Sequence, residues 1–121
     1  MAKIPENINS YGIYYSDSSL LEKIANVARK EGKKVIKKVV KLALTLYYVL
    51  ISGDVPFENK AQIIGALGYF IFPQDGVPDY IPLVGYGDDF VVLLFVYNKV
   101  KSSITPDVEN RVNDKMSSLG L

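Results

Sequence analysis

The chain has 121 residues and a net charge of +1, and it contains neither cysteine nor histidine. Without thiols there is no disulfide framework or thiolate ligand, and without imidazole there is no Ser-His-Asp triad. Both absences argue strongly against a zinc enzyme. Carboxylate, lysine or tyrosine chemistry and the binding of hard cations remain open. The hydrophobic fraction of 49% and the charged fraction of 22% are typical of one globular domain with a modest core.

Basic and acidic residues are distributed unevenly along the chain. Residues 1–60 hold ten Lys/Arg and six Asp/Glu, whereas residues 61–121 hold four and seven. This layout indicates two faces with different partners, or two halves that attract each other. A nucleic-acid-binding domain has a larger and more concentrated basic excess, so we expect no nucleic-acid partner.

The uncharged stretches of the chain bear on its localisation. The first seventeen residues contain no apolar core of signal-peptide length. The longest uncharged run, residues 61–74, is shorter than the roughly 20 residues of a transmembrane helix. We therefore expect a cytoplasmic protein that is soluble or peripheral at the inner face of the membrane.

The N-terminal part of the chain divides into two segments. Residues 1–16 contain proline, glycine and asparagine at positions that predict an irregular arm, with Ile13, Tyr14 and Tyr15 as candidate anchors to the body. Residues 17–121 are predicted to form a single helical domain.

The first predicted helix is about Ser18–Glu31. Ser19 and Glu22 have the spacing of a capping box, and the apolar residues that follow recur at helical spacing. Gly32 is a natural helix end.

The second predicted helix, Lys33–Ser52, has a basic face in its first half. The residues on that side are Lys33, Lys34, Lys37, Lys38 and Lys41. One interpretation is contact with anionic lipid headgroups. The other is a solvated face whose lysine stems cover apolar surface. The second half, Leu42–Ile51, is apolar almost all round, as in a helix at the centre of a bundle.

The third predicted helix, about Phe57–Phe72, has a face of small residues. Ala61, Gly65 and Gly68 lie close to one another on it and would let another helix approach closely. The helix is too short to span a bilayer, so the pattern favours tight packing in a soluble bundle.

The last two predicted helices differ in polarity. Asp88–Lys101 is apolar, and its acidic start and basic end match the helix dipole. Pro106–Ser118 is mostly polar and is predicted to lie on the surface, with Thr105 as its N-cap and Pro106 at its first position.

The connection between helices three and four is rich in proline, glycine and aspartate. Pro73, Pro78 and Pro82 each fix their own backbone and disfavour a helix just before them. The segment 85–87, Gly-Tyr-Gly, is turn-forming. Since many apolar residues separate these positions, we expect a rigid, partly buried connection.

Four aspartates in and after this connection form a candidate metal site: Asp75, Asp79, Asp88 and Asp89. In a structural interpretation, the first two accept backbone N–H bonds in turns, Asp88 caps helix four and Asp89 lies in its first turn. In a second interpretation they bind Mg²⁺ or Ca²⁺ through carboxylate oxygens. A third uses two of them as acid and base.

The same residues carry a resemblance to a known family. Their pattern is Pro-x-Asp-x-x-Pro-Asp-x-x-Pro-x-x-Gly-x-x-Asp-Asp, and its fixed positions here are Pro73, Asp75, Pro78, Asp79, Pro82, Gly85, Asp88 and Asp89. This resembles the YkvA-like family, catalogued as domain of unknown function 1232, over about Val40–Val100. Gly76 and Gly87 depart from the larger apolar residues usual in the family. The resemblance implies a small helical fold, often membrane-associated, with no established activity.

Taken together, these patterns predict an all-α single domain of four or five helices, with helices two, three and four as its core. The leading hypothesis for function is a non-enzymatic module that associates, through the lysine face, with an anionic membrane surface or a protein partner. The alternative is a divalent-cation-binding protein or metal-dependent hydrolase that uses the four aspartates with Mg²⁺ or Ca²⁺; no other cofactor is expected. A third hypothesis is a homo-oligomer that pairs apolar helix faces.

Overall fold

The computed structural model describes residues 8–29, 33–52, 55–71 and 82–121, with the backbone alone at 33–35 and 82–89. These residues form five α-helices: α1 Asp17–Ala28, α2 Lys33–Ser52, α3 Phe57–Ile71, α4 Pro82–Val100 and α5 Pro106–Ser118. Two 3₁₀ helices, Ile8–Tyr14 and Lys101–Ser103, accompany them. The described part of the chain contains no strand, so the all-α prediction is confirmed, with slightly more helical elements than the four or five expected.

Short polar side chains set the starts of α1 and α5. The N-cap of α1 is Ser16, whose hydroxyl accepts a 3.1 Å hydrogen bond from the backbone N–H of Ser19. The predicted capping box is therefore wrong, since Ser19 is already inside the helix as the donor. At α5, Thr105 accepts from the N–H of Val108 at 3.2 Å, as predicted.

Helix α2 is the centre of the bundle and packs against all four other α-helices. Its second half carries the aliphatic residues with no exposed surface: Ala43, Leu44, Leu46 and Val49. Burial of this kind contributes roughly 1.5–3 kcal/mol for each large aliphatic side chain before entropy is subtracted. The apolar second half of the predicted helix two thus lies in the core. Its end is an exception, because Ile51 is 46% exposed.

Helix α5 is more deeply packed than its composition indicates. Val108, Val112 and Met116 are buried and recur every four residues, and this face packs on α2. The prediction of a surface helix holds for the polar side of α5 alone. Three apolar residues at this spacing suffice to make one continuous buried stripe.

The N-terminal 3₁₀ helix Ile8–Tyr14 lies directly on α3. It approaches at Gly65 and Gly68, where a Cβ atom would lie 2.9 Å from Asn9 Cα and 2.7 Å from the Tyr11 carbonyl carbon. Glycine therefore fits both positions, whereas any residue with a Cβ atom would require the backbone of the 3₁₀ helix to move. The close approach predicted from the small residues is present, but the neighbour is this 3₁₀ helix.

The residues that anchor the N-terminal segment differ from those expected. Ile13 is 82% exposed and Tyr14 is 37% exposed, while Tyr15 packs against the core as predicted. Ile8 is buried, and the ring of Tyr11 meets that of Tyr69 edge to face at 4.9 Å between centroids. In a 3₁₀ helix residues three apart share a face, and Ile8 and Tyr11 have this spacing.

Helix α4 begins six residues earlier than the sequence indicates, at Pro82 in place of Asp88. Proline at a first helical position lacks only an N–H that would be unbonded there, so it starts a helix readily. The first turn of α4 contains no acidic residue. The predicted turn at 85–87 is therefore wrong, because these residues are inside the helix. The predicted cap at Asp88 and the first-turn position of Asp89 are wrong for the same reason. The rest of the predicted rigid connection, 73–81, and the predicted end of helix three at Phe72 lie outside the described residues.

Within the described ranges, the helices are each too short or too polar to cross a membrane.

Candidate functional site

The five lysines of the predicted anionic contact all belong to the first half of α2. The side chains of Lys37, Lys38 and Lys41 are exposed, and those of Lys33 and Lys34 lie outside the described side chains. Buried aliphatic residues occupy the inner side of the same turns: Ile36, Val39 and Val40. Because this inner stripe faces the core, the three described lysines project from the outer surface of the bundle.

A groove of about 540 Å³ lies between α2, α4 and α5, and two of these lysines line it. Its lining residues are Lys38, Lys41, Leu42, Thr45, Phe90, Leu94, Tyr97, Ile104, Glu109, Val112 and Asn113. Among the described lining residues, Val112 is buried and the other apolar side chains are half-buried. The volume is within the range of about 300–1,000 Å³ that is usual for small-molecule sites.

The polar residues of the groove stand on two of its helices. Lys38, Lys41 and Thr45 follow one another along α2, and Glu109 and Asn113 are one turn apart on α5. Thr45 is buried, and its hydroxyl donates a 2.7 Å hydrogen bond to the carbonyl of Lys41. Since that bond uses its only proton, Thr45 offers the groove an acceptor and no donor.

The lysines of the groove form no ion pair with another described residue. Among the described side chains, an ion pair joins Arg111 and Asp107 at 3.2 Å, and neither Lys38 nor Lys41 takes part in one. Glu109 also lines the groove, so its described charges are two positive and one negative. The groove therefore presents an apolar wall with a positive side at α2.

A second polar cluster lies where the N-terminal segment meets α2. The Tyr15 hydroxyl donates a hydrogen bond to the Asp17 carboxylate. Burial raises the pKa of Tyr15 well above its ordinary value of 10.0, and the bond to Asp17 and the charge of Asp17 raise it further. Burial, followed by the charge of Asp17, also raises the pKa of Tyr47. Both phenols are thus held in the neutral form, which suits them as hydrogen-bond donors.

The structure does not test whether the four predicted aspartates form a metal site. Asp75 and Asp79 lie outside the described residues, and Asp88 and Asp89 are on α4, where only the backbone is described. Among the residues that are described, no group of three or more acidic side chains could hold a metal ion. The cation site stays a prediction.

Sequence reasoning found the positive side of the groove and missed its apolar wall. Phe90, Leu94 and Tyr97 belong to the predicted helix Asp88–Lys101, which is apolar over most of its length. Their three- and four-residue spacing is the signal that places them on one stripe of α4. Glu109 and Asn113 carried no signal, because their role depends on where α5 packs.

Comparisons with known proteins add one finding. Residues 59–95 match the family described as "Protein of unknown function (DUF1232)". The matched segment comprises most of α3 and the part of α4 that ends at Phe95, with the proline- and aspartate-rich connection between them. The match supports the resemblance to domain of unknown function 1232 over residues 59–95, and it does not extend to the YkvA-like name. No curated protein and no solved structure matches the chain.

Proposed function

We propose that this chain, whose residues 59–95 match the DUF1232 family, is a non-enzymatic module that associates with an anionic membrane surface. The contact is made by the lysine face of α2, which we define as Lys37, Lys38 and Lys41 together with Lys33 and Lys34. The observation that carries the proposal is that its three described lysines are exposed and form no ion pair within the described residues.

The spacing of these residues supports contact with a flat surface. Lys37, Lys38 and Lys41 lie within two turns of one helix, about 6 Å along its axis from the first to the last. Charges so close together can approach the same patch of headgroups at the same time. Each lysine near an anionic bilayer contributes about 1 kcal/mol of attraction, which salt screens within a Debye length.

A vesicle sedimentation experiment tests the proposal. The chain should sediment with vesicles of phosphatidylcholine mixed with phosphatidylglycerol, should do so less as salt is raised, and should stay in solution with pure phosphatidylcholine. The triple variant Lys37→Gln, Lys38→Gln, Lys41→Gln should bind mixed vesicles roughly a hundredfold more weakly, since about 1 kcal/mol is lost for each lysine.

The matched control removes the same charge elsewhere. Lys60→Gln, Lys101→Gln and Lys115→Gln lie on α3, the second 3₁₀ helix and α5. This variant should keep most of the vesicle binding. Absence of binding by the unaltered chain at low salt, or an equal loss in both triple variants, contradicts the proposal. In that event a protein partner with an acidic surface becomes the better hypothesis for the same lysines.

A further inference from the structure

We propose that the groove between α2, α4 and α5 binds the anion of a fatty acid, with its carboxylate beside Lys38 and Lys41 and its acyl chain along the apolar wall. The inference deepens the proposed function and rests on it, because both proposals assign anion binding to Lys38 and Lys41. It differs from the proposed function in that it names a small-molecule ligand, which binds in the groove between the helices.

The apolar wall is the first step of the argument. Leu42, Phe90, Leu94, Tyr97 and Ile104 are half-buried and line one continuous groove. Single exposed apolar residues are ordinary on a protein surface, whereas a contiguous set that lines a concavity marks a binding site. Its members come from three parts of the chain, so the concavity is a product of how α4 and α5 pack on α2.

The placement of charge is the second step. Lys38 and Lys41 are three residues apart on α2, so both ammonium groups stand on one side of the groove. Neither pairs with an acid among the described residues. A ligand that matches both features has an anionic head and an apolar body. Inorganic phosphate would leave the wall uncovered, and a neutral lipid would leave the lysines without a partner.

Two polar residues refine the choice of head group. Because Thr45 donates its proton to the Lys41 carbonyl, it cannot also donate to the head group, so recognition depends on the lysines. Glu109 lines the same groove and opposes an anion. A single carboxylate is therefore a better match to the described net charge of the lining than a doubly charged phosphate monoester.

Calorimetric titration with sodium dodecanoate below its micellar concentration tests the inference on the whole chain. Saturable binding of one equivalent is expected. Decanoate should bind roughly fifteenfold more weakly, because two fewer methylenes are buried. Dodecanol and dodecyltrimethylammonium have similar chains without the negative charge, and both should bind far more weakly than dodecanoate.

Three variants separate the parts of the site. Lys38→Gln with Lys41→Gln should weaken dodecanoate binding by about tenfold or more, while Lys37→Gln with Lys101→Gln, which removes the same charge outside the groove lining, should change it little. Glu109→Gln should strengthen it roughly two- to fivefold, an effect that misfolding cannot imitate.

A fourth variant distinguishes this inference from the proposed function. Leu94→Gln places a polar group on the groove wall, so it should weaken dodecanoate binding and leave vesicle sedimentation unchanged. No saturable binding, equal affinity for dodecanoate and dodecanol, or indifference to both Leu94→Gln and the paired lysine change would overturn the inference. Vesicle binding that survives such a result leaves the proposed function standing alone.

Discussion

Replacement of Gly68 by alanine tests how tightly the N-terminal 3₁₀ helix is packed on α3. In an isolated helix this change stabilises by about 1 kcal/mol, because glycine is a poor helix former. Here the new methyl group would lie 2.7 Å from the Tyr11 carbonyl carbon and closer still to its oxygen. Carbon atoms pack at about 3.5–4.0 Å, so the 3₁₀ helix must move by roughly 1 Å or leave.

The magnitude follows from what that movement disturbs. Ile8 is 8% exposed in the folded chain and contributes about 1.5–3 kcal/mol by burial. The edge-to-face contact of Tyr11 with Tyr69 adds about 0.5–1.5 kcal/mol. Ordering of the segment offsets much of this sum. We expect a net loss of about 1–2 kcal/mol, in keeping with overpacked cores, and a Tm lower by roughly 4–8 °C.

The assay pairs thermal unfolding with limited proteolysis. Gly68→Ala should lower the Tm and expose residues 8–14 to cleavage. In a chain lacking residues 1–14 the same substitution should raise the Tm, because only the helix preference of alanine remains. A higher Tm for Gly68→Ala in the full chain, with the segment still protected, would refute the close contact.

Four further predictions concern the cap of α5, the core, the ionisation of Tyr15 and the aspartate set. Thr105→Ala should destabilise by about 1 kcal/mol in urea unfolding, with Thr105→Ser near the unaltered value, since α5 would lose its capping oxygen; no difference between the two variants would contradict this role. Leu44→Ala should cost about 2–5 kcal/mol, because Leu44 is fully buried in the central helix; a loss below 1 kcal/mol would show a loose core. The folded pKa of Tyr15 is raised above 10.0, so stability is fully present below pH 10 and is lost progressively as pH rises above it; urea unfolding from pH 8 to 11 should show this slope, and Tyr15→Phe should reduce it. Finally, if the four predicted aspartate ligands bind Mg²⁺ or Ca²⁺, millimolar metal should raise the Tm, and no shift would remove the metal hypothesis.

The residue pattern predicts a helix most accurately where capping or helix-starting residues mark its ends. The bounds of Lys33–Ser52 and Pro106–Ser118 agree with the structure, the second because Thr105 and Pro106 mark its start locally. The start of α4 was misjudged because two glycines after Pro82 look like a turn, although the structure has them inside the helix. Helix preference is a weak guide where neighbouring packing decides.

The candidate site also has a part that the sequence predicts and a part that depends on how the helices pack. The lysine face of α2 is a matter of spacing along one helix, so the chain determines by itself that Lys38 and Lys41 share a side. That this side borders a groove with Phe90 and Leu94 depends on the packing of α4 and α5 against α2.

Residue types and their spacing are enough to establish the all-α class, the absence of thiol and imidazole chemistry, the basic face of α2 and the small-residue face of α3. Each of these depends on residue type or on a helical period, which are local properties. Two contacts become visible once the helices are packed: the N-terminal 3₁₀ helix lies on the small-residue face, and the basic face borders an apolar groove. Those contacts join residues far apart in the chain, and no local period specifies them.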